Sequence, residues 1–567
     1  MLGNTEKYKM AALAGILLLA AFFRFYLITE IPPGLYPDEA ANGNNALEAL
    51  RTGPQAGGPA GGFKIFYPEN NGREGLFINL QAVAINFLGA EPWTLRIVSA
   101  VFGTLTVLGI FLLAKELFPA GSVLRNTNQY EPTNSYIRRN SYFVKLIPLL
   151  SALFLATSYW HINFSRIGFR AILVPFFAVF GAYWLLKAIR TEKISSTLAA
   201  GIATGLGFHT YIAFRFMPFV LAVPALLALR SWRAGRKPQR CVPCVVALFL
   251  FITLIVALPI GLYFLQHPQD FFGRGGQVSI FSAESPTREF FKSTALTLGM
   301  FNARGDCNGR HNLACEPQLF WPVGILFLIG LALTVRDLFK KPLSPIPYTL
   351  SAWFILMMFP ATLTREGLPH ALRAIGMIPP VMIFAAMGGA ALWHALIGCF
   401  ERAPAQPAYQ RHRRGLHRIK KELAIAAVLF LIWIPVNTYR GYFIRFAHAP
   451  ATRDAFASDL WAQGRYLAAL PDGVQKFVIV NLSGEDTRGV PAPAGSIMFA
   501  TDTFDAERRR AKGITYVTRL EDIQVDAAMK TVIMPMNPRD DALVSALRER
   551  FPALGEQTLG NVVIFQN

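Results

Sequence analysis

Long apolar runs recur along this sequence and constrain its fold more than any other feature. Eleven of them are long enough to cross the ~30 Å hydrocarbon core of a bilayer. Hydrophobic residues make up 53% of the chain and charged residues only 16%, which leaves too little polar surface for an ordinary soluble protein. The sequence therefore predicts a polytopic, all-α membrane protein. The predicted spans cover residues 10–28, 94–118, 145–164, 170–188, 196–214, 216–231, 242–264, 319–336, 346–362, 373–395 and 422–440.

The excess of basic residues supports this topology. The chain has 55 Lys and Arg against 35 Asp and Glu, but the excess sits in clusters beside the apolar runs, as in cytoplasmic loops, so nucleic-acid binding is a poor interpretation. Eleven spans with a cytoplasmic amino terminus place all of these clusters inside. Counting residues 76–89 as another span would place them outside, so we interpret that segment as an interfacial helix. The clusters are Arg138 and Arg139; Lys187, Arg190 and Lys193; Arg233, Arg236, Lys237 and Arg240; Arg336, Lys340 and Lys341; and Arg411, Arg413, Arg414, Arg418, Lys420 and Lys421.

The odd number of spans places the carboxyl terminus outside the cytoplasm. The tail alternates β-rich runs at 476–480 and 531–534 with helical stretches such as 541–551, which predicts a small extracytoplasmic α/β domain. We expect two domains, 1–440 in the membrane and 441–567 outside it. The tail is expected to be an accessory or acceptor-positioning module, and a membrane-anchored binding domain is the alternative.

A long polar loop, residues 29–93, joins the first two spans, and loops of this length are usually functional. Its first acidic cluster follows Tyr36 and Pro37. Pro37 suits the start of a helix, and Asp38 and Glu39 would then lie in the first turn, where the helix dipole favours their ionised form. A helix start without any function would have the same sequence pattern. The apolar side chains that follow predict a helix lying on the membrane surface; they are Ala40, Leu47 and Leu50.

The second acidic cluster of this loop runs from Glu69 to Phe77. It leads directly into the interfacial segment 76–89, so Glu74 can return to the membrane face that carries Asp38. Two carboxylates and the basic residue Arg73 in one outer loop suit an enzyme that activates a hydroxyl group and orients a phosphate leaving group.

These motifs resemble the GT-C superfamily of membrane glycosyltransferases, in particular the family of protein O-mannosyltransferases and bacterial relatives such as the lipid A aminoarabinose transferase. The resemblance rests on Gly34-Leu35-Tyr36-Pro37-Asp38-Glu39-Ala40, on Asn71-Gly72-Arg73-Glu74-Gly75-Leu76-Phe77-Ile78 and on Leu95-Arg96-Ile97-Val98-Ser99-Ala100. It covers the topology of roughly the first 400 residues and the motifs of the first 120. Arg73 before Glu74, and Gly75 where proline is common, depart from the family pattern and leave the acceptor class open.

The resemblance implies a multi-pass glycosyltransferase of the bacterial inner membrane that inverts the anomeric configuration. Its donor would be a polyprenyl-phosphate sugar, and its acceptor a protein, a lipid or a glycan. It implies Asp38, Glu39 and Glu74 as catalytic residues, with Asp38 as the general base. A divalent cation is an open option, with Glu39 and Glu74 as candidate ligands. The alternative is a transporter or flippase of a lipid-linked sugar, which should show midplane charges and repeat symmetry; the sequence shows neither.

Further basic residues collect at the outer ends of the predicted spans. Each one alone fits a snorkelling role at the interface, but the set favours a cavity that binds the donor phosphate, because arginine pairs with phosphate bidentately. The segments 310–312 and 369–373 also resemble those of bacterial relatives. The candidate phosphate-binding residues are Arg73, Arg166, Arg170, Arg215, Arg310, His311 and Arg373.

Five cysteines are too few for a disulfide scaffold. Cys307 and Cys315 lie on the predicted oxidising side, which predicts a disulfide, with free thiols as the alternative. A cysteine and histidine metal site is disfavoured there, because only His311 lies nearby. Cys241 and Cys244 begin a span on the cytoplasmic side and are predicted to be reduced and structural.

Overall fold

The computed structural model describes residues 4–51, 62–119, 145–235, 241–340, 344–401, 410–526 and 528–567. The chain divides into two compact units. The helix-bundle unit comprises Met1–Tyr26, Ala100–Ser165 and Arg170–Arg445, and the outer-loop unit comprises Leu27–Ser99, Arg166–Phe169 and Phe446–Asn567. The first outer loop and the tail therefore belong to the same unit.

Seven helices in the described part of the chain are long and apolar enough to cross a membrane. Each of them lies at a predicted span, so the polytopic helical architecture is confirmed, while the count of eleven spans stays a prediction. They are Glu6–Phe25, Pro92–Leu117, Arg170–Thr191, Ile212–Arg233, Val242–Gln266, Trp321–Lys340 and Ile375–Ile397. Several residues of the predicted cytoplasmic clusters lie outside the described residues: Arg138, Arg139, Arg236, Lys237, Arg240 and Lys341.

Three predicted spans are shorter or interrupted in the structure. Residues 145–164 form Ile147–Ala156 and Tyr159–Ser165, and the break leaves a helix-end carbonyl, that of Thr157, which accepts a hydrogen bond from Thr438 Oγ1 at 2.7 Å. Residues 346–362 form Pro345–Leu356 and Phe359–Thr362, and residues 196–214 contain the helix Ile194–Gly207. The other helices of this unit are Pro268–Val278, Pro286–Gly299 and Gln410–Tyr439, which continues as the π-helix Arg440–Phe446.

One helix of the bundle unit, Val242–Gln266, exposes much of its apolar surface. Leu254, in the middle of this uncharged helix, is 66% exposed, and Leu265, near its end, is 79% exposed. Apolar surface of this extent is expected where a helix contacts lipid rather than water.

The tail forms the α/β structure that the sequence predicts. A five-stranded sheet consists, in spatial order, of β6 (Ile514–Val517), β3 (Gln475–Ile479), β7 (Thr531–Pro535), β9 (Val562–Gln566) and β8 (Gly555–Leu559). Strand β3 pairs in parallel with β6 and β7, while β9 pairs antiparallel with β7 and β8. The predicted runs 476–480 and 531–534 are its central strands β3 and β7. The strands are β1 Phe66–Tyr67, β2 Arg73–Glu74, β3 Gln475–Ile479, β4 Asp486–Thr487, β5 Val490–Pro491, β6 Ile514–Val517, β7 Thr531–Pro535, β8 Gly555–Leu559 and β9 Val562–Gln566.

Both faces of this sheet are covered, so its central strands are apolar on both sides. Phe477 and Ile533 belong to one buried cluster, and Val478 and Met534 to the other. The predicted helix 541–551 is Asp541–Arg550, and the side chain of Asp540 caps it by accepting from Leu543 N at 3.2 Å. The remaining tail helices are Pro450–Ala455, Ser458–Ala469, Gly495–Thr501 and Ala506–Ala511.

The first outer loop contains two helices, Pro37–Arg51 and Gly75–Leu88. The second has the length predicted for an interfacial helix and exposes Phe87. The first is corrected in one respect: Ala40 and Leu47, which predicted a membrane-facing surface, are buried in a core with Ile78 and Phe499. The predicted apolar surface of this helix is present, but the tail covers it instead of the membrane.

Four of the cysteines are bonded in pairs. Cys307 and Cys315 form a disulfide, as predicted. Cys241 and Cys244 also form one, which corrects the prediction that they are reduced thiols. Their position at a helix start brings the two Cα atoms to 5.3 Å, a separation that a disulfide can bridge.

Candidate active site

Asp38 lies in the first turn of the helix Pro37–Arg51, as the sequence predicts. Its Oδ2 accepts a hydrogen bond from the Tyr36 hydroxyl at 2.7 Å, and its Oδ1 accepts one from Asn70 Nδ2 at 2.8 Å. The side chain remains partly exposed. Two donors therefore fix the orientation of a carboxylate that an incoming hydroxyl group can still reach.

Glu39 has a different environment, although it is the next residue. It is fully buried, and its Oε1 accepts from Arg96 Nε at 2.9 Å and from the Gly168 amide at 2.7 Å. Its Oε2 accepts from Arg96 Nη2 at 3.0 Å and from the Tyr36 amide at 3.3 Å. A carboxylate bound in this way on both oxygens favours a positioning role over the catalytic or metal-binding role that the resemblance implies for Glu39.

Arg96 ties the same carboxylate to the start of the outer loop. Its Nη1 donates to the Pro32 carbonyl at 2.6 Å, and its Nη2 donates to the Gly34 carbonyl at 2.7 Å. Gly34 has a φ of 70°, and a Cβ there would lie 2.5 Å from the Phe456 carbonyl oxygen, so only glycine fits this close approach. The motif Gly34 to Ala40 is thus a set of residues that orient the helix carrying Asp38.

The second acidic cluster forms a small hairpin of β1 and β2 and then enters the helix Gly75–Leu88, with Glu74 as its N-cap residue. Glu74 is 4% exposed. Arg73 is buried beside it and donates to Asn42 Oδ1 at 2.7 Å, to Asn45 Oδ1 and to the Glu69 carbonyl at 3.2 Å. Because its guanidinium binds three protein oxygens, Arg73 favours a role in holding this hairpin against the helix Pro37–Arg51 over phosphate binding.

Arg166 is the other predicted phosphate-binding residue in the outer-loop unit. It is fully buried, and its Nη2 donates to the carbonyls of Leu27 and Ile31 at 3.1 and 2.8 Å. It therefore fixes the backbone where the outer loop begins.

The other predicted phosphate-binding residues belong to the helix-bundle unit, and four of them are partly exposed. Arg170 lies over the Tyr211 ring at 5.3 Å, and Arg215 over the Phe271 ring at 4.0 Å. Arg310 Nε donates to Asn308 Oδ1 at 3.0 Å, and Arg373 Nη1 donates to Thr364 Oγ1 at 2.7 Å. These four side chains are partly exposed, whereas those of Arg73 and Arg166 are buried.

His311, the fifth, is buried, and its Nδ1 lies 2.8 Å from Asp306 Oδ2. The Ala371 amide donates to the same oxygen at 2.8 Å, and this contact joins the segment 305–316 to the segment 369–371. Potential ligand atoms of Asp306, His311 and His370 lie within 4.8 Å of one another, so these three residues could hold a metal ion. Asp306 and His370 could not be predicted in this role from the sequence, because they lie 64 positions apart.

The tail packs against the outer loop through polar contacts near Asp38. Arg488 donates to Glu48 at 3.0 Å and to Glu69 at 2.7 Å, and Asn71 donates to Glu485 at 2.8 Å. Glu69 is the neighbour of Asn70, which binds Asp38. The Ser496 hydroxyl donates to the Leu35 carbonyl at 2.7 Å. These contacts support a role for the tail in positioning the outer loop.

We expect Arg488→Gln to destabilise the protein by about 1 kcal/mol at pH 7, because a partly exposed ion pair contributes no more than this. Burial raises the pKa of Glu69, but the hydrogen bond and charge of Arg488, together with a backbone hydrogen bond and the charge of Arg73, outweigh it, so the pKa lies below its ordinary value. The stabilisation is therefore complete above the ordinary pKa of about 4.3 and is lost as the pH falls through the lowered folded-state pKa.

Thermal unfolding at pH 7 and at about pH 3 measures this difference. Arg519→Gln is the matched control, since Arg519 pairs with Asp522 on the surface of the same unit. A loss of stability that is equal at both pH values would show that the Glu69 charge is not involved.

Solved structures that match the chain include ArnT from Cupriavidus metallidurans bound to undecaprenyl phosphate, with a TM-score of 0.53 and 13% identity. The same protein in the apo state gives a TM-score of 0.55 at 13% identity, and each alignment covers 100% of this chain and 98% of that one. The Saccharomyces cerevisiae protein O-mannosyltransferase Pmt1-Pmt2 complex bound to the sugar donor is 21% identical over 48% of this chain and 34% of that one, with a TM-score of 0.33.

At this identity the likeness to ArnT shows the fold alone, and this is the architecture that the motif resemblance implies. No protein-family model matches the sequence, and no curated protein does.

Proposed function

We propose that the chain is an inverting glycosyltransferase that transfers a sugar from a polyprenyl-phosphate donor to an acceptor hydroxyl at the outer face of the bacterial inner membrane. The observation that carries the proposal is Asp38, an oriented and partly exposed carboxylate at a helix start, in the first outer loop of a chain with the ArnT fold. The bound undecaprenyl phosphate of that ArnT structure supports a lipid-phosphate donor.

Asp38 is the general base in this mechanism. It accepts the proton of the acceptor hydroxyl as the oxygen attacks the anomeric carbon, and the bond between that carbon and the lipid-phosphate oxygen breaks. Tyr36 and Asn70 hold the carboxylate so that one lone pair can face the acceptor. A single displacement of this kind inverts the anomeric configuration.

The departing phosphate needs charge stabilisation more than a proton, because it is already a good leaving group. Arg170, Arg215, Arg310, His311 and Arg373 remain the residues that the sequence predicts for this role. Glu39, Arg73 and Arg166 position the loop. Glu74 is proposed as a second carboxylate of the site.

A transfer assay tests the proposal. The purified full-length protein is incubated with its native membrane lipids and proteins and with a panel of labelled polyprenyl-phosphate sugars, and both the label in acceptors and the released polyprenyl phosphate are measured. We expect both products to appear together for at least one donor. Movement of intact donor across a proteoliposome bilayer, with no cleavage of any donor, would instead identify a flippase.

A further inference from the structure

A pocket of about 540 Å³ opens among helix ends in the helix-bundle unit, and the proposed transfer reaction does not use it. Its walls come from the start of Asn4–Phe25, the end of Pro92–Leu117, the start of Ile147–Ala156 and the end of Leu173–Thr191. The predicted topology places all four ends on the cytoplasmic side, whereas the outer loop with Asp38 is predicted outside.

The pocket has an excess of positive charge. Glu6 pairs with Lys9 at 2.8 Å, and Glu116 accepts two hydrogen bonds from Arg190. Five cations and two carboxylates line it, which leaves a formal excess of three positive charges. Like charges that converge in a concave site attract an anion and are stabilised by one. The cations are Lys9, Lys115, Lys145, Lys187 and Arg190.

Most of the remaining lining is apolar. Met10, Phe111, Leu112, Phe118 and Leu149 contribute side chains to the same pocket. A ligand that matches this surface therefore has an anionic group beside hydrocarbon, and an inorganic anion would leave the apolar part unused.

One of the cations is held in place by aromatic side chains. Lys187 Nζ lies 4.4 Å from the centroid of the Trp184 ring and donates to the Tyr183 hydroxyl at 3.1 Å. These contacts limit the rotamers of a long side chain, so less entropy is lost when the ammonium group binds a phosphate.

We propose that this pocket binds the headgroup of an anionic phospholipid from the adjacent leaflet. The phosphate would lie among the lysines at the rim, and the glycerol and first acyl carbons would contact the apolar lining. Basic pockets between membrane-spanning helices on the cytoplasmic side recognise anionic headgroups in this way. The proposal is independent of the transfer reaction and concerns a different end of the spans.

Native mass spectrometry of the detergent-purified full-length protein, titrated with phosphatidylglycerol or phosphatidylethanolamine, tests the proposal. We expect the wild type to bind phosphatidylglycerol more tightly than phosphatidylethanolamine. Lys115→Gln/Lys187→Gln should weaken phosphatidylglycerol binding by roughly tenfold or more, because each lysine near a headgroup contributes about 1 kcal/mol. Lys193→Gln is the matched control, since Lys193 is an exposed lysine of the same predicted cytoplasmic cluster that does not line the pocket.

Equal affinity of the wild type for the two lipids would overturn the proposal, and so would unchanged binding in the double variant. Complete displacement of phosphatidylglycerol by an equal concentration of inorganic phosphate would show that the pocket recognises the free anion instead. If the double variant does not fold, the salt dependence of phosphatidylglycerol binding to the wild type is measured instead. Binding should weaken as the ionic strength rises. Salt-independent binding would contradict the electrostatic argument.

Discussion

Replacing Asp38 with asparagine should lower the rate of sugar transfer by roughly 10²- to 10⁴-fold, the usual contribution of a positioned general base. An amide has the shape of the carboxylate but does not accept a proton at pH 7. Its oxygen can still accept from Asn70, and the Tyr36 hydroxyl can rotate to accept from the new NH₂ group. The local fold should therefore survive, and the loss should fall on the chemical step.

The measurement is the initial rate of transfer from a labelled polyprenyl-phosphate sugar, at equal amounts of folded protein. We expect kcat to fall while KM changes little, because Asp38 acts on the proton that moves in the transition state. Asp472→Asn is the control: Asp472 is an exposed carboxylate of the same unit, and its loss should leave transfer unchanged. Equal rates for wild type and Asp38→Asn would show that another group is the base.

The parts of this site that could be predicted from sequence are local ones. Pro37 followed by two carboxylates predicts the start of a helix, and the structure has that helix with Asp38 in its first turn. The strands of the tail can also be predicted from the sequence, because runs such as 531–534 are β-rich and apolar. Local propensity and hydrophobic pattern decide these features, so neighbours along the chain suffice.

The partners of these residues could not be predicted, because they are distant in sequence. Glu39 binds the Gly168 amide across 129 positions, and nothing near either residue indicates the contact. The charge of Arg73 alone predicts a phosphate ligand, and only the structure shows its hydrogen bonds to Asn42 and Asn45. Burial and hydrogen bonding separate a positioning arginine from one that binds substrate, and neither is a property of the local sequence.

The sequence nevertheless contains one signal for the contact between Glu39 and Arg96. Arg96 lies at the start of a predicted span whose other charged residues, Lys115 and Glu116, lie at its far end, and a charge in such a segment is costly unless it is paired. That cost pointed to a buried acidic partner, and the structure supplies Glu39. Arg24, near the end of the first span, is bound differently: it donates to the Leu155 and Ala156 carbonyls and to His161 Nδ1 at 2.7 Å.

Substitutions in the ion pair of Glu39 and Arg96 should lower the stability of the protein more than other substitutions in the outer loop. Both side chains are at most 1% exposed, and Arg96 also binds the Pro32 and Gly34 carbonyls. Arg96→Met would leave a buried carboxylate without its counter-charge, and Glu39→Gln would leave a buried guanidinium. We expect each single variant to lose about 3–5 kcal/mol of stability.

Unfolding midpoints in detergent and transfer rates per folded molecule together separate the two roles considered for Glu39. If Glu39 only positions the loop, Glu39→Gln should have a lower midpoint, and the molecules that remain folded should transfer sugar at a rate close to that of the wild type. The double variant Glu39→Gln/Arg96→Met should recover part of the lost stability, because it removes both charges of this pair. A Glu39→Gln protein with the wild-type midpoint and no transfer would reverse the assignment, since a residue that acts in the chemistry can be removed without unfolding the loop.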